Sequence, residues 1–216
     1  DEMMGPLPWA EAGLIRGEDE FWQPCFLMAW EEFSARAIRA VEEDHPGVTA
    51  THYAEKAPPW LAGELAGLLP CTVLLPVRDP RDVFLSVVSF VDKRGSPGFG
   101  MRPGEPPEEF ARRFVQLQRR RLQEAGRALE TGAAAVVRYE DLLGDLPGQA
   151  RRLGALLGVP LDPAGVGAGA APYQQHSTTA SPDESVGRWH RELKPELQAL
   201  FSRELAGNLA PLGYEP

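Results

Sequence analysis

The stretch "LLPVRDPRDVFLS", residues 74–86, decides the fold. It passes from apolar, β-branched residues into Arg-Asp-Pro-Arg-Asp and then directly into a second apolar pattern. Taken with its upstream neighbours, "CTVLLPV" (71–77) is the near-continuous apolar run of a strand buried on both faces. Downstream, Asp79 is a good N-cap and Pro80 suits the first helical position. Asp82 stands three residues after the cap, where an acid can reach back to the cap's own amide. A helix is therefore expected from Pro80 to about Asp92. Helix-start electrostatics account for Arg81 as a surface charge among acids. They do not account for Arg78, the last residue of a buried strand, where an unpaired guanidinium is costly. Arg78 needs an anion. Asp79 and Asp82 already occupy the positive end of the helix dipole, so that anion is expected beside the helix and not on its tip. Ser86, two turns into the helix, can face the same spot, and a guanidinium fork with a hydroxyl suits a phosphate monoester. An internal salt bridge is the even alternative at this point.

Working outward, Phe26, Trp30, Phe33, Ala37 and Val41 recur at steps of three and four, the spacing of one helical face between Pro24 and Glu43. "VTATHY" (48–53) follows Pro46-Gly47 and reads as a short strand. A proline-opened helix is expected from Pro59 to Leu69, and a Gly/Pro-rich loop over 93–107. A long Arg-rich helix follows from about Pro107 to Glu130. "AAAVVRYEDL" (133–142) is the third strand with its exit turn, Gln149 to Leu157 is a helix closed by Gly158, and a last helix runs from about Pro195 to Asn208. Residues 159–187 read as an ordered, lid-like loop. Strands alternating with helices predict an α/β fold, a parallel sheet covered on both faces. Ligands of such sheets bind beyond the carboxyl ends of the strands, here just after residues 53, 77 and 138. The arginines at 112, 113, 119, 120 and 121 are spread around their helix and read as a solvated surface.

Bulk properties narrow the function. At 216 residues the chain fits one domain, residues 1–216. Its net charge of −9 argues against a general nucleic-acid binder, which relies on surplus cations facing phosphates. Any anion must therefore meet a local basic site. Cys25 and Cys71 sit in apolar settings without metal-site spacing and read as buried thiols. There is no signal peptide and no apolar run near the ~20 residues of a membrane span, so a cytoplasmic location is the expectation. The opening at Asp1, on a Trp/Pro-rich stretch, is read as an N-terminal truncation.

"RDPRDVFLS" resembles the R-[DN]-P-[RK]-D-x-x-x-S segment of the sulfotransferases that use 3′-phosphoadenosine 5′-phosphosulfate (PAPS). The resemblance implies that Arg78 and Ser86 hold the donor's 3′-phosphate. "VVRYEDL" (136–142) is similar to the family's Y-E-D-L strand end, which would place Tyr139 near the adenine. "SVGRWHREL" (185–193) looks like the S-x-G-R-W segment that closes over the nucleotide, with Gly187 and Arg188 near the 3′-phosphate. "HYAEKAPPWL" (52–61) resembles the E-K-[ST]-P stretch at the transfer site. It implies Glu55 as the base, as in glycan-modifying members, and Lys56 on the transferring sulfuryl group. His52 is the alternative base, as in cytosolic aryl and steroid members. Ala57 replaces the family's Ser or Thr. The implied fold is a three-layer parallel sheet flanked by helices, P-loop NTPase-like. The implied donor is PAPS, with no metal, and the acceptor is a hydroxyl or amine on a small molecule or glycan. The family's P-[KR]-[SG]-G-[ST]-[ST] loop for the 5′-phosphosulfate has no counterpart before residue 48. The first strand and that loop are thus expected to lie outside this chain. A non-catalytic remnant that binds adenosine 3′,5′-bisphosphate is the second reading. A nucleotide kinase-like phosphotransferase ranks below it, since no G-x-x-x-x-G-K-[ST] occurs.

Overall fold

A computed structural model of the chain describes residues 22–57, 66–132, 134–167 and 177–216. The chain divides into two compact units, residues 1–71 and 72–216.

In the N-terminal unit, helix α1 spans Trp22–Asp44, as the three-and-four spacing predicts. Its aromatic residues gather the following chain. Tyr53 meets Trp30 and Phe33 edge-on at centroid distances of 6.0 and 5.9 Å, and Phe26 stacks on Trp30 at 6.2 Å. Phe33 and Val41 nevertheless stay exposed. Residues 48–53 do not form the expected strand. Their anchors are side-chain contacts and not a strand ladder: the Ala50 amide donates to Glu42 Oε1 at 3.0 Å, and Tyr53 sits on the α1 rings. Most of the helix expected over 59–69 lies outside the described residues, and 66–68 are helical. The expectation of two buried thiols fails, since Cys25 is half-buried and Cys71 exposed.

In the C-terminal unit, strand β1 (Leu74–Val77) leads into α2 (Pro80–Arg94), then α3 (Pro107–Thr131), strand β2 (Ala135–Arg138), α4 (Tyr139–Gly144), α5 (Leu146–Leu157), α6 (Trp189–Glu192) and α7 (Pro195–Leu209). β1 and β2 pair in parallel, Leu74 opposite Ala135 and Val77 opposite Arg138. The crossover through α2 and α3 is what a parallel pair requires. Among the described residues the sheet has these two strands, so the α/β character is present while the expected three-layer sheet is not. This small sheet changes the burial of β1. Leu75 is buried, but Leu74 and Pro76 are exposed, in place of the two-faced burial expected. Pro76 has no N–H to give a further strand, which suits an edge.

The helices close as their sequences dictate. α2 is capped by the Asp79 carboxylate, which accepts from the Arg81 amide at 2.9 Å, and it ends on Gly95 with φ 65°, a conformation natural to glycine. Asp145 caps α5 through the Gly148 amide at 2.9 Å. α3 buries Phe110, Ala111, Phe114, Val115, Gln118, Leu122, Ala125 and Ala128, one stripe at steps of three and four. That stripe meets Phe84 of α2 and Phe201 of α7. The four rings of Phe84, Phe110, Phe114 and Phe201 form the centre of the core, with Phe84 5.5–5.7 Å from each of the other three. Of the α3 arginines at 112, 113, 119, 120 and 121, two are tied down and not merely solvated. Arg113 pairs with Glu105 at 2.6 Å, and Arg119 bonds the Glu204 carboxylate and carbonyl, joining α3 to α7. Among the described residues no helix is long and apolar enough to cross a membrane.

Because Phe84 touches all three partner rings, Phe84→Ala is expected to cost about 3–5 kcal/mol of unfolding free energy. Chemical denaturation monitored by circular dichroism measures it.

Candidate functional site

β1 and β2 end side by side, and their next residues are basic or aromatic: Arg78 follows β1, while Arg138 closes β2 and Tyr139 opens α4. The turn after β1 is rigid. Arg81, expected as a surface charge, is 0% exposed. Its guanidinium forks onto the Asp79 carboxylate, at 3.0 Å from Nε and 2.8 Å from Nη2, and lies 3.6 Å from the centre of the Trp189 ring. It also donates to the Glu215 carbonyl at 2.6 Å. The charge of Asp79, the hydrogen bonds from Nε and Nη2 and the Trp189 ring face together offset the burial of this guanidinium, whose Nη1 has no hydrogen-bond partner among the described residues.

Two acids brace the turn in ways the sequence rules do not anticipate. Asp82 does not reach back to the cap amide. That amide, of Asp79, donates to Glu140 Oε1 at 2.9 Å, and the other Glu140 oxygen accepts from the Tyr214 hydroxyl at 3.0 Å. Glu140 thus links the two strand ends to the C-terminal tail. Burial and the adjacent Glu140 charge push the Tyr214 phenol far above its ordinary value, so it stays protonated and donates. Asp82, 0% exposed, accepts instead from the Gly187 amide at 2.7 Å and the Trp189 amide at 3.0 Å. Burial holds its carboxyl above the usual aspartate range even though the Trp189 and Gly187 amides pull the other way.

The chain from Ser177 to Trp189 lies along α2. Lys93 donates to the Ser177 carbonyl at 3.1 Å near the end of the helix, and Arg78 Nη2 donates to the Ser185 carbonyl at 2.7 Å near its start. Ser185 Oγ donates to the Pro182 carbonyl at 2.5 Å, which leaves the Tyr139 hydroxyl as donor to Ser185 Oγ at 3.2 Å. The Arg78 guanidinium lies over the Tyr139 ring, 4.6 Å from its centroid. Gly187 has φ 65°, which a side chain rarely adopts, and this turn presents its amide to Asp82. Arg188 is 5% exposed; it donates to Glu192 at 2.6 Å and to Ser89 Oγ of α2 at 3.2 Å.

Four buried side-chain nitrogen or oxygen atoms lack a hydrogen-bond partner among the described residues: Arg78 Nε, Arg81 Nη1, Ser86 Oγ and Arg138 Nε. All four lie at the carboxyl ends of the strands or in the first turns of α2. Buried donors are ordinarily paired, and the carboxyl ends of parallel strands are where ligands of such sheets bind, so these atoms make this end of the sheet the candidate site.

The structure therefore brings Arg78, Tyr139, Gly187 and Arg188 to one region, with Ser86 on the helix that this region covers. Glu55, Lys56 and His52 belong to the N-terminal unit. Glu55 accepts from the Tyr53 hydroxyl at 3.1 Å, and His52 Nδ1 is 3.0 Å from Thr51 Oγ1. Burial and the Glu55 hydrogen bond raise the Tyr53 phenol above its ordinary value. Asp82, Glu140 and Tyr214 were not singled out as site residues. Their partners are 61 to 107 positions away in the chain, so no local pattern reveals them.

Residues 16–163, well over half the chain, match the model of the sulfotransferase family. No curated protein and no solved structure matches the chain. The match includes the Arg78 turn and β2 with Tyr139, and it stops before the Ser185–Trp189 segment, whose place beside α2 rests on the hydrogen bonds above. The chain belongs to the sulfotransferase family.

Proposed function

We propose that this chain takes part in transfer of a sulfuryl group from PAPS to a hydroxyl or amine acceptor on a small molecule or glycan. The observation that carries the donor assignment is the pair of buried atoms Arg78 Nε and Ser86 Oγ, which have no partner among the described residues and suit the oxygens of a 3′-phosphate monoester. In this reading Arg78 serves twice. Its Nη2 fixes the Ser185 carbonyl, its Nε faces the phosphate, and its planar face rests on Tyr139. Tyr139 lies beside the adenine, and Gly187 and Arg188 cover the phosphate from the opposite side.

Transfer forms a bond from the acceptor oxygen or nitrogen to sulfur and breaks the bond from sulfur to the 5′-phosphate oxygen. Adenosine 3′,5′-bisphosphate leaves with the electron pair. A base must take the acceptor's proton, and cationic charge must meet the developing oxyanions. Glu55 is assigned as the base, with His52 as the alternative, and Lys56 as the cation.

Two experiments test this reading. Adenosine 3′,5′-bisphosphate at about 100 times its Kd stabilises the protein by about 2.7 kcal/mol, read as a rise in Tm. Arg78→Ala abolishes that rise. Ser86→Ala keeps or slightly raises the stability of the unliganded protein, because it removes a buried hydroxyl that has no partner among the described residues, yet weakens bisphosphate binding by about tenfold. No stabilisation of the wild type by the bisphosphate overturns the donor assignment. Transfer of labelled sulfate from PAPS to a panel of alcohols and amines, with Glu55→Gln lowering the rate by about 10²–10⁴, tests the catalytic assignment. Binding without any transfer favours a nucleotide-binding remnant.

A further inference from the structure

Asp82, Ser86 and Ser89 stand four and three residues apart on α2, so they share one face of the helix. The two outer members of this row both bond the 185–189 segment: Asp82 takes the Gly187 and Trp189 amides, and Ser89 Oγ accepts from Arg188. Ser86, between them, is the member whose buried hydroxyl has no partner among the described residues. The residue enclosed by Asp82's two contacts is Arg188.

We propose that Asp82 is a positioning residue for the donor's 3′-phosphate: by gripping the backbone on both sides of Arg188, it keeps that guanidinium and the Ser185–Trp189 segment against the helix face that carries Ser86. The proposal rests on the reading of Arg78 and Ser86 as phosphate ligands. Several features suit a carboxylate to this task. Its two oxygens take one amide each, Oδ2 from Gly187 and Oδ1 from Trp189, where a carboxamide offers a single acceptor. Its charge is met by those amides and by the helix N-terminus, so the anchorage does not draw a guanidinium hydrogen bond away from the phosphate. Its partners are main-chain groups, so the grip fixes the path of the segment, while the Arg188 side chain keeps its own contacts to Ser89 and Glu192. Gly187 completes the device, since its φ of 65° allows the amides on either side of Arg188 to converge on one carboxylate.

The test is isothermal titration of the wild type, Asp82→Asn, Ser86→Ala and the double variant with two probes, adenosine 3′,5′-bisphosphate and adenosine 5′-phosphate. Circular dichroism verifies that each variant is folded. Asp82→Asn is expected to weaken the bisphosphate by about tenfold, the loss of a hydrogen bond to a charged acceptor, and to leave adenosine 5′-phosphate within about twofold. Its effect and that of Ser86→Ala should be less than additive, because both act on one phosphate. Gly187→Ala, which disturbs the turn that presents its amide to Asp82 while keeping the carboxylate itself, should reproduce the selective loss and serves if Asp82→Asn does not fold. Equal weakening of both nucleotides, or additivity with Ser86→Ala, overturns the positioning role while leaving the donor assignment standing. A wild type that binds both nucleotides equally overturns the donor assignment itself, and the positioning role with it.

Discussion

The C-terminal unit depends on one buried ion pair. Arg81 and Asp79 stand two residues apart at the point where β1 becomes α2, and both are removed from solvent. A buried guanidinium is costly unless its charge, most of its donors and its flat faces find partners. Here those partners come from distant parts of the chain. The Trp189 ring covers it and the Glu215 carbonyl accepts from it, so α6 and the tail are drawn to the strand-to-helix turn. The Asp79 amide, projecting from the same turn, fixes Glu140 at the end of the neighbouring strand. Removing either member of the pair would leave an uncompensated charge in the interior, at a cost of about 3–5 kcal/mol. The pair is thus the constraint that assembles the site, although in the proposed function neither member touches the donor.

This arrangement separates support from chemistry. Arg81, Asp79, Asp82 and Glu140 are occupied with one another, with backbone amides and with the tail. Arg78 is anchored at Nη2 and over Tyr139, with its buried Nε unpaired among the described residues, and Ser86 is held in a helix whose ends are capped. Ligand groups fixed in this way lose little freedom when a ligand arrives, which is how rigid surroundings convert a few hydrogen bonds into affinity. In the proposed function a protein of net charge −9 binds a multiply charged nucleotide through positive groups that are local and pre-placed.

Much of this was legible in the sequence wherever the governing interaction was local. Asp79 as the cap, Pro80 at the first helical position, the stripe of α3 and the glycine that closes α5 all follow from spacing and capping rules. The apolar run before Arg78 overstated its burial, since Leu74 and Pro76 are exposed and Arg78 is half-buried, although the inference that its partners come from far along the chain holds for the Ser185 carbonyl and the Tyr139 ring. What escaped depended on contacts across the fold. Arg81 looked like a surface charge because nothing near it in sequence announces Trp189 or Glu215. Asp82 fitted a capping box by spacing, yet Glu140, from beyond β2, took the cap amide first. Residues 48–53 carried β-branched composition but pack by side chains onto α1. Composition could not say that a ladder partner would be missing among the described residues.

In the proposed function the donor's 3′-phosphate sits between Arg78 and Ser86. A crystal structure of the protein with adenosine 3′,5′-bisphosphate tests it most directly. The account predicts 3′-phosphate oxygens within hydrogen-bonding distance, about 2.7–3.2 Å, of Arg78 Nε and Ser86 Oγ, with the Ser185–Trp189 segment still bonded to Asp82. A nucleotide bound elsewhere, or bound with its 3′-phosphate turned away from both residues, would contradict it.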